Sequence, residues 1–268
     1  MSVSSANVAD IGRKLTENCN VVSQWMIANK LKLNIDKTHY MTLGTKRRLQ
    51  LQEESPHVEI CGLSIEESSA GVEVLLGCQI QSSLKWHSQI AELIKKLKKR
   101  VAAVEHLRYI MPFNLRKTFV EGLFTSVISY CLPVFGGCEG YELRALQVMQ
   151  NKAARIVCLA SFRASRQEIF ARLKWLSVKQ LIFYHTALST YRIRTSGQPD
   201  YLAMIMSRDN RRGNIMVPNS ILSLAKNSYC FRGAVDWNSL PHSIRNLRSK
   251  EKFKIELKKW ILENIHPF

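Results

Sequence analysis

The chain carries few residues placed to do covalent chemistry. Its five aspartates, Asp10, Asp36, Asp200, Asp209 and Asp236, are scattered, none next to another, and no local carboxylate cluster is placed to hold two magnesium ions for phosphoryl transfer. There is no Gly-x-Ser-x-Gly elbow, no His-Glu-x-x-His pair and no Gly-x-x-x-x-Gly-Lys-Ser/Thr loop. Gly44-Thr45-Lys46 is only a turn fragment. The seven histidines lie apart at no metal-binding spacing, and His185, inside an apolar helical stretch, is expected to be a packed side chain. The seven cysteines (Cys19, Cys61, Cys78, Cys131, Cys138, Cys158 and Cys230) are odd in number and form no Cys-x-x-Cys pair. Cys131 and Cys138 are too far apart for a zinc knuckle, with no histidine between or just after them. That usage predicts reduced, mostly buried structural thiols in an intracellular protein, with no metal site.

The chemistry that the composition does favour is electrostatic. Against 21 Asp+Glu stand 39 Lys+Arg, a net charge of +18, and proteins this basic meet polyanions such as nucleic acid or an anionic membrane surface. Residues 1–87 carry nine charges of each sign. The excess lies beyond them: eight basic against three acidic over 88–130, eight against one over 144–179, and nine against three over 226–259. Its densest run is Lys95-Lys96-Leu97-Lys98-Lys99-Arg100. The run admits three readings: a solvated helix face, a face that tracks phosphates, or a nuclear localisation signal, the last disfavoured because Leu97 belongs to an apolar stripe. Arg155, Arg163, Arg166 and Arg172 follow a later helix and extend the same track if the helices pack side by side.

The elements that must position these residues follow from periodicity. A length of 268 residues suits one large domain or two smaller ones, and 46% hydrophobic residues exclude wholesale disorder. The longest apolar stretch, Leu123 to Phe135, is interrupted by Thr125, Ser126, Ser129 and Pro133 and is too short to span a bilayer. Met1 to Ala9 has no apolar signal core, so an intracellular location without membrane insertion is expected, nucleus and cytoplasm being unresolved. Ile11, Leu15, Val22 and Trp25/Met26 predict a helix over 8–27 with Trp25 as a core anchor. Alternation on either side of the Asn34-Ile35-Asp36-Lys37 turn predicts a hairpin, and residues 46–57 a polar loop. Short strands are expected at Val58–Ile60, Leu63–Ile65 and Val72–Ile80, with turns at Cys61-Gly62 and Ser68-Ser69-Ala70-Gly71. From Trp86 onward Ile90, Leu93, Ile94, Leu97, Val101 and Val104 share one helix face. Further helices are predicted over 115–131, 141–160, 177–194 and 251–265, the last capped by Ser249, with a loop-rich excursion over 196–220. Trp237 reads as a buried aromatic before a helix that starts near Pro241.

Several segments carry a family resemblance. Trp25-Met26-Ile27-Ala28-Asn29-Lys30-Leu31-Lys32-Leu33-Asn34-Ile35-Asp36-Lys37-Thr38 resembles the W-x3-N-x-L-x-L-N-x2-K-T segment of LINE-type (non-LTR, jockey-like) retrotransposon reverse transcriptases. Leu75-Leu76-Gly77-Cys78-Gln79-Ile80 resembles their primer-grip hairpin, and Leu84-x-Trp86-His87-x2-Ile90 the entry to their thumb. Phe231-Arg232-Gly233-Ala234-x2-Trp237-Asn238-x-Leu240-Pro241-x2-Ile244-Arg245, followed by Ser249 and Phe253-Lys254-x2-Leu257, resembles their C-terminal signature. The four landmarks stand in the family's order across nearly the whole chain.

The resemblance implies an α+β, mostly helical fold. Residues 1–87 would be a palm remnant of helix and β-hairpins, 88–165 a helical thumb, and 166–268 a helical C-terminal module. The family's Tyr/Phe-x-Asp-Asp turn, which holds two magnesium ions, precedes the Trp-Asn segment, so the chain is expected to start after it and to lack catalytic aspartates. The expectation is therefore a C-terminal fragment of an RNA-directed DNA polymerase with residual binding of RNA or DNA template–primer and no cofactor of its own. A domesticated non-enzymatic nucleic-acid-binding protein and a functionless retroelement remnant are the alternatives. By resemblance Lys37 is a candidate general acid toward pyrophosphate, weighed against a solvated turn residue. Leu76 and Gly77 stand at the primer-grip position, Gly77 being read as a point of close backbone approach.

Overall fold

The computed structural model describes residues 2–5, 7–51, 54–68 and 70–266. Met1, residues 52–53 of the predicted polar loop and Ser69 of the predicted turn lie outside the described residues. The fold is mostly helical with two small antiparallel hairpins, and the chain divides between Ser88 and Gln89 into two compact units.

The first unit is built around helix α1 (Val8–Ala28), capped by the Asn7 side chain on Ala9 N. Its docking face joins Leu15 and Cys19 to a row of small and polar residues, Gly12, Thr16, Asn20 and Ser23, one helical turn apart. A Cβ at Gly12 would stand 2.5 Å from the His57 carbonyl oxygen, so the helix approaches backbone directly there. Thr16 Oγ1 accepts from Glu59 N at 3.0 Å, Asn20 Oδ1 from Cys61 N at 2.9 Å, and Ser23 Oγ lies 3.0 Å from Cys61 Sγ. The strand so clamped, β1 (Glu59–Ile60), pairs with β2 (Leu63–Ser64) across Cys61 and Gly62, whose φ values of 52° and 78° suit a two-residue hairpin turn. Val58, Ile60 and Ile65 form the core, packed by Leu15, Cys19, Leu33, Ile35 and Tyr40.

This arrangement corrects several sequence expectations. Trp25 is 60% exposed, and Val22 is also exposed, because α1 turns its small-residue face inward. The hairpin over 30–43 does not form. Asn34 Oδ1 caps a single 3-10 turn, Ile35–Lys37, and the flanking residues never pair with each other. Their alternation instead seats Leu33, Ile35 and Tyr40 on the core, and Tyr40 bridges Glu67 while donating to Pro56 O at 2.7 Å. The predicted loop over 46–57 begins with helix α2 (Lys46–Gln50), capped by Thr45. The strand-like run over 72–80 folds as a hairpin, β3 (Val72–Leu75) with β4 (Cys78–Gln81), where the resemblance implied one.

In the second unit α3 (His87–Leu107) buries Ile90, Leu93, Leu97, Val101 and Val104. The helix predicted over 115–131 is interrupted. It comprises α4 (Phe113–Val120), one π-helical turn over Glu121–Thr125 and α5 (Ser126–Ser129), before Cys131 adopts a left-handed conformation ahead of α6 (Leu132–Phe135). The widened turn presents Glu121, whose carboxylate accepts from Trp175 Nε1 at 2.7 Å. Helices α7 (Gly140–Cys158) and α8 (Arg166–Leu173) precede α9 (Val178–Ser196), the centre of the unit. Ser177 and Gln180 form a capping box at its start, and its buried residues lie on every side. It packs against α6, α7, α10 (Asp200–Met206), α12 (Tyr229–Ser239) and α14 (Lys250–Asn264), the last capped by Ser249 as expected. Two short helices, α11 (Ser223–Lys226) and α13 (His242–Arg245), flank α12, and Pro241 precedes α13.

The 229–257 segment serves packing throughout. A Cβ at Gly233 would meet Thr190 Oγ1 at 3.0 Å. Trp237, in the last turn of α12 and ahead of α13 as expected, is buried, stacks on Phe253 at 6.0 Å, and has the Arg194 guanidinium 5.4 Å from its ring. The Asn238 amide accepts from Ile215 N at 2.8 Å and donates to Ile215 O at 2.9 Å, pairing with the backbone as a strand would. The excursion over 196–220 is thereby ordered: it contains α10 and is tied again by a bidentate Arg194–Asp209 ion pair with both contacts at 2.9 Å. Of the cysteines only Cys78 is buried, Cys61 is exposed and the others are half-buried, all as free thiols, which revises the mostly buried expectation. Among the described residues no helix is long and apolar enough to cross a membrane.

Candidate nucleic-acid interface

On α3 the basic run separates into two kinds of residue. Lys95, Lys96, Lys98 and Lys99 are exposed, Lys95 and Lys99 opposite the buried stripe and Lys96 and Lys98 on its two flanks. Lys96 Nζ lies 3.9 Å from Glu92, a surface pair of little energetic weight. Arg100 does not share their face. Leu93, Leu97, Arg100 and Val104 follow the 4-3-4 spacing of one helix row, so Arg100 stands inside the apolar stripe. Its guanidinium donates to the Leu123 carbonyl and is half-buried, which removes it from the expected outward set.

The later arginines diverge as well. Arg163 and Arg166 are exposed, Arg166 at the start of α8. The Arg172 guanidinium sits 4.9 Å from the Phe113 ring. Arg155, near the end of α7, is half-buried, donates to Asn151 O and Phe162 O at 3.4 Å each, and leaves a buried Nε without a hydrogen-bond partner.

Arg155 belongs to a groove of about 590 Å³ between the end of α3 and the end of α7. Its charged and aromatic lining is Glu105, Arg108 and Tyr109 on one wall and Lys152, Arg155 and Phe162 on the other. Arg108 lies 4.6 Å from the Tyr109 ring centroid and Arg155 5.5 Å from that of Phe162. Both rings stand in water, Tyr109 74% and Phe162 89% exposed. Glu105 pairs with Arg108 at 3.2 Å, so its charge is matched within the groove and Lys152 and Arg155 leave a positive excess. None of Lys95, Lys96, Lys98, Lys99, Arg163, Arg166 or Arg172 lines it. Of the expected residues, then, the groove takes in Arg155 alone. Arg108, Tyr109, Lys152 and Phe162 were missed by the sequence reading. The available signal was an arginine next to an aromatic, Arg108-Tyr109 and Phe162-Arg163, just beyond the end of a predicted helix.

Both walls are fixed by one buried cation. Arg116 Nε donates to Val157 O at 2.8 Å, and Nη1 donates to Arg108 O and Met111 O at 2.6 Å each. The guanidinium thus ties the turn after α3 to the carbonyl end of α7, where positive charge is favoured by the helix dipole. Nearby, burial raises the Cys158 thiol, opposed by the charges of Arg172, Arg116 and Lys117.

The remaining candidates lie elsewhere. Lys37 is exposed on its 3-10 turn. Leu76 and Gly77 form the exposed tip of the β3–β4 hairpin with φ of 49° and 80°. The positive φ of Gly77 suits a left-handed turn position, which glycine adopts without a Cβ penalty. His185 is half-buried, edge-on to Tyr184 at 5.3 Å, and burial lowers its pKa. Asp236 is raised to about 7 by burial, with Arg232 opposing, yet lies in the α12 packing. Among the described residues no group of three or more His, Cys, Asp or Glu side chains is arranged to hold a metal ion. Comparison of the chain with family models, with curated proteins and with solved structures gives no match.

Proposed function

We propose that this chain is a nucleic-acid-binding part of a non-LTR, jockey-like retrotransposon reverse transcriptase, covering the end of the palm, the thumb and the C-terminal region. It holds RNA or DNA template–primer by its phosphates and does not transfer nucleotides by itself. The observation that carries the reading is the set of four lysines exposed on α3 around its buried stripe. Four ammonium groups over little more than one helical turn neutralise neighbouring phosphates and release counterions, with no demand on sequence. The ordered four-landmark resemblance names the family, and the scattered aspartates are the reason for assigning the chain no metal-dependent step.

The test is binding of a fluorescent single strand between low and physiological salt. About six phosphate contacts give a log–log slope near −4 at ~0.7 per phosphate. Replacing Lys95, Lys96, Lys98 and Lys99 with Gln removes four contacts and should flatten the slope by about 3. An unchanged affinity and slope in the folded variant would reduce the lysines to a solvated helix face.

A further inference from the structure

The groove between α3 and α7 has a composition that phosphate tracking alone does not call for. Two aromatic rings from segments some fifty residues apart stand in water on opposite walls, each beside a guanidinium. Exposed rings expose apolar area that a folded chain ordinarily covers, and a guanidinium at one ring supports a second planar group stacked on it. Nucleobases present such planes together with phosphates. The groove volume, about 590 Å³, falls in the range of sites that enclose small ligands. Its excess cations, Lys152 and Arg155, match phosphate.

We propose that this groove seats unpaired nucleotides of a single strand, with Tyr109 and Phe162 stacking on bases and Arg108, Lys152 and Arg155 facing the phosphates. The proposal rests on the nucleic-acid reading above and adds to it the part of the strand that is recognised, the base plane. It also separates two jobs along α3: the lysines hold backbone, and the groove beyond the helix end discriminates single strands from duplex, whose bases are already stacked on one another. Glu105 helps by keeping Arg108 in place at 3.2 Å rather than by meeting the ligand.

The experiment uses the full chain and two labelled strands of equal length, oligothymidylate and a strand of abasic sites carrying the same phosphates. Because both rings are exposed, Tyr109→Leu with Phe162→Leu leaves the fold intact, which circular dichroism checks. Each ring lost should weaken oligothymidylate binding about 5- to 150-fold, while binding of the abasic strand and the salt slope stay as in wild type. A 2-aminopurine strand should be quenched on binding by wild type and not by the double variant. Equal affinity of the wild type for both strands overturns base stacking and leaves the electrostatic reading standing. Binding to neither strand at low salt overturns both. Polyglutamate of matched charge binding as tightly as oligothymidylate would make the groove a generic anion site and also overturn the proposal.

Discussion

Arg116 gives the sharpest energetic forecast, because this buried cation joins two helix ends through three main-chain carbonyls. Substitution by Leu fills much of the space but leaves Val157 O, Arg108 O and Met111 O without the donors they now have at 2.6–2.8 Å. Hydrogen bonds to a charged group are each worth about 1.5–3 kcal/mol, against which stands relief from burying the guanidinium. Taking roughly 1–1.5 kcal/mol net per orphaned carbonyl, the expected destabilisation is about 3–5 kcal/mol. With a urea m-value of about 3 kcal/mol/M that is a midpoint lower by roughly 1–2 M. Arg116→Lys keeps the charge but not the planar fork, so its loss should be smaller, about 1–3 kcal/mol. Urea unfolding of the full chain, followed by the fluorescence of Trp175, Trp237 and Trp260, measures both. A Leu variant as stable as wild type would mean that desolvation of the guanidinium outweighs its three bonds, and the account of how the groove walls are held would be wrong.

Three further outcomes are expected. Gly12→Ala should destabilise the first unit by about 1–2 kcal/mol despite a better helix propensity, since the new Cβ would stand 2.5 Å from the His57 carbonyl; faster amide exchange at Ile60 and Ile65 reports it, and a gain in stability would refute the close approach. Asp236 titrates at about 7 in the folded chain against 3.8 in its ordinary state, so the stability that its protonated form contributes is complete below about pH 4 and is lost as pH rises through 7. Asp236→Asn should therefore gain roughly 2–3 kcal/mol over wild type on going from pH 5 to pH 8, and parallel urea midpoints would contradict this. Purified chain with magnesium, nucleotides and a primed template should give no extension, and template-dependent product resistant to contaminant controls would require a metal site assembled from distant aspartates.

What could be read from the sequence was governed by how each residue earns its burial. The stripe of α3, the Ser249 cap and the start of α13 at Pro241 were legible because hydrophobic period and cap chemistry are local signals. The face of α1 was not, because Gly12, Thr16, Asn20 and Ser23 dock by closeness and backbone hydrogen bonds, which hydropathy does not score. Trp25 was misplaced for the same reason. Arg100 and Arg116 look like surface charge in a sequence, yet both spend their donors on main-chain carbonyls; the apolar row through Leu93, Leu97 and Val104 was the one hint for Arg100. The Trp237-Asn238-x-Leu240-Pro241 segment was recognisable without a role, and its role lies in long-range pairing with Ile215 and Phe253 that only the tertiary structure supplies. The groove combines residues from two helix ends, so no window of sequence contained it.

Lysine acylation with and without a single-stranded oligonucleotide, read peptide by peptide by mass spectrometry, tests the central claim most directly. Helix α14 serves as the internal control, since Lys252, Lys258 and Lys259 are exposed on it as the α3 lysines are on theirs. The account predicts that Lys95, Lys96, Lys98 and Lys99 lose reactivity in proportion to bound strand and regain it as salt rises, while the α14 lysines react as before. Protection spread evenly over both helices, or found on α14 with α3 unchanged, would contradict it.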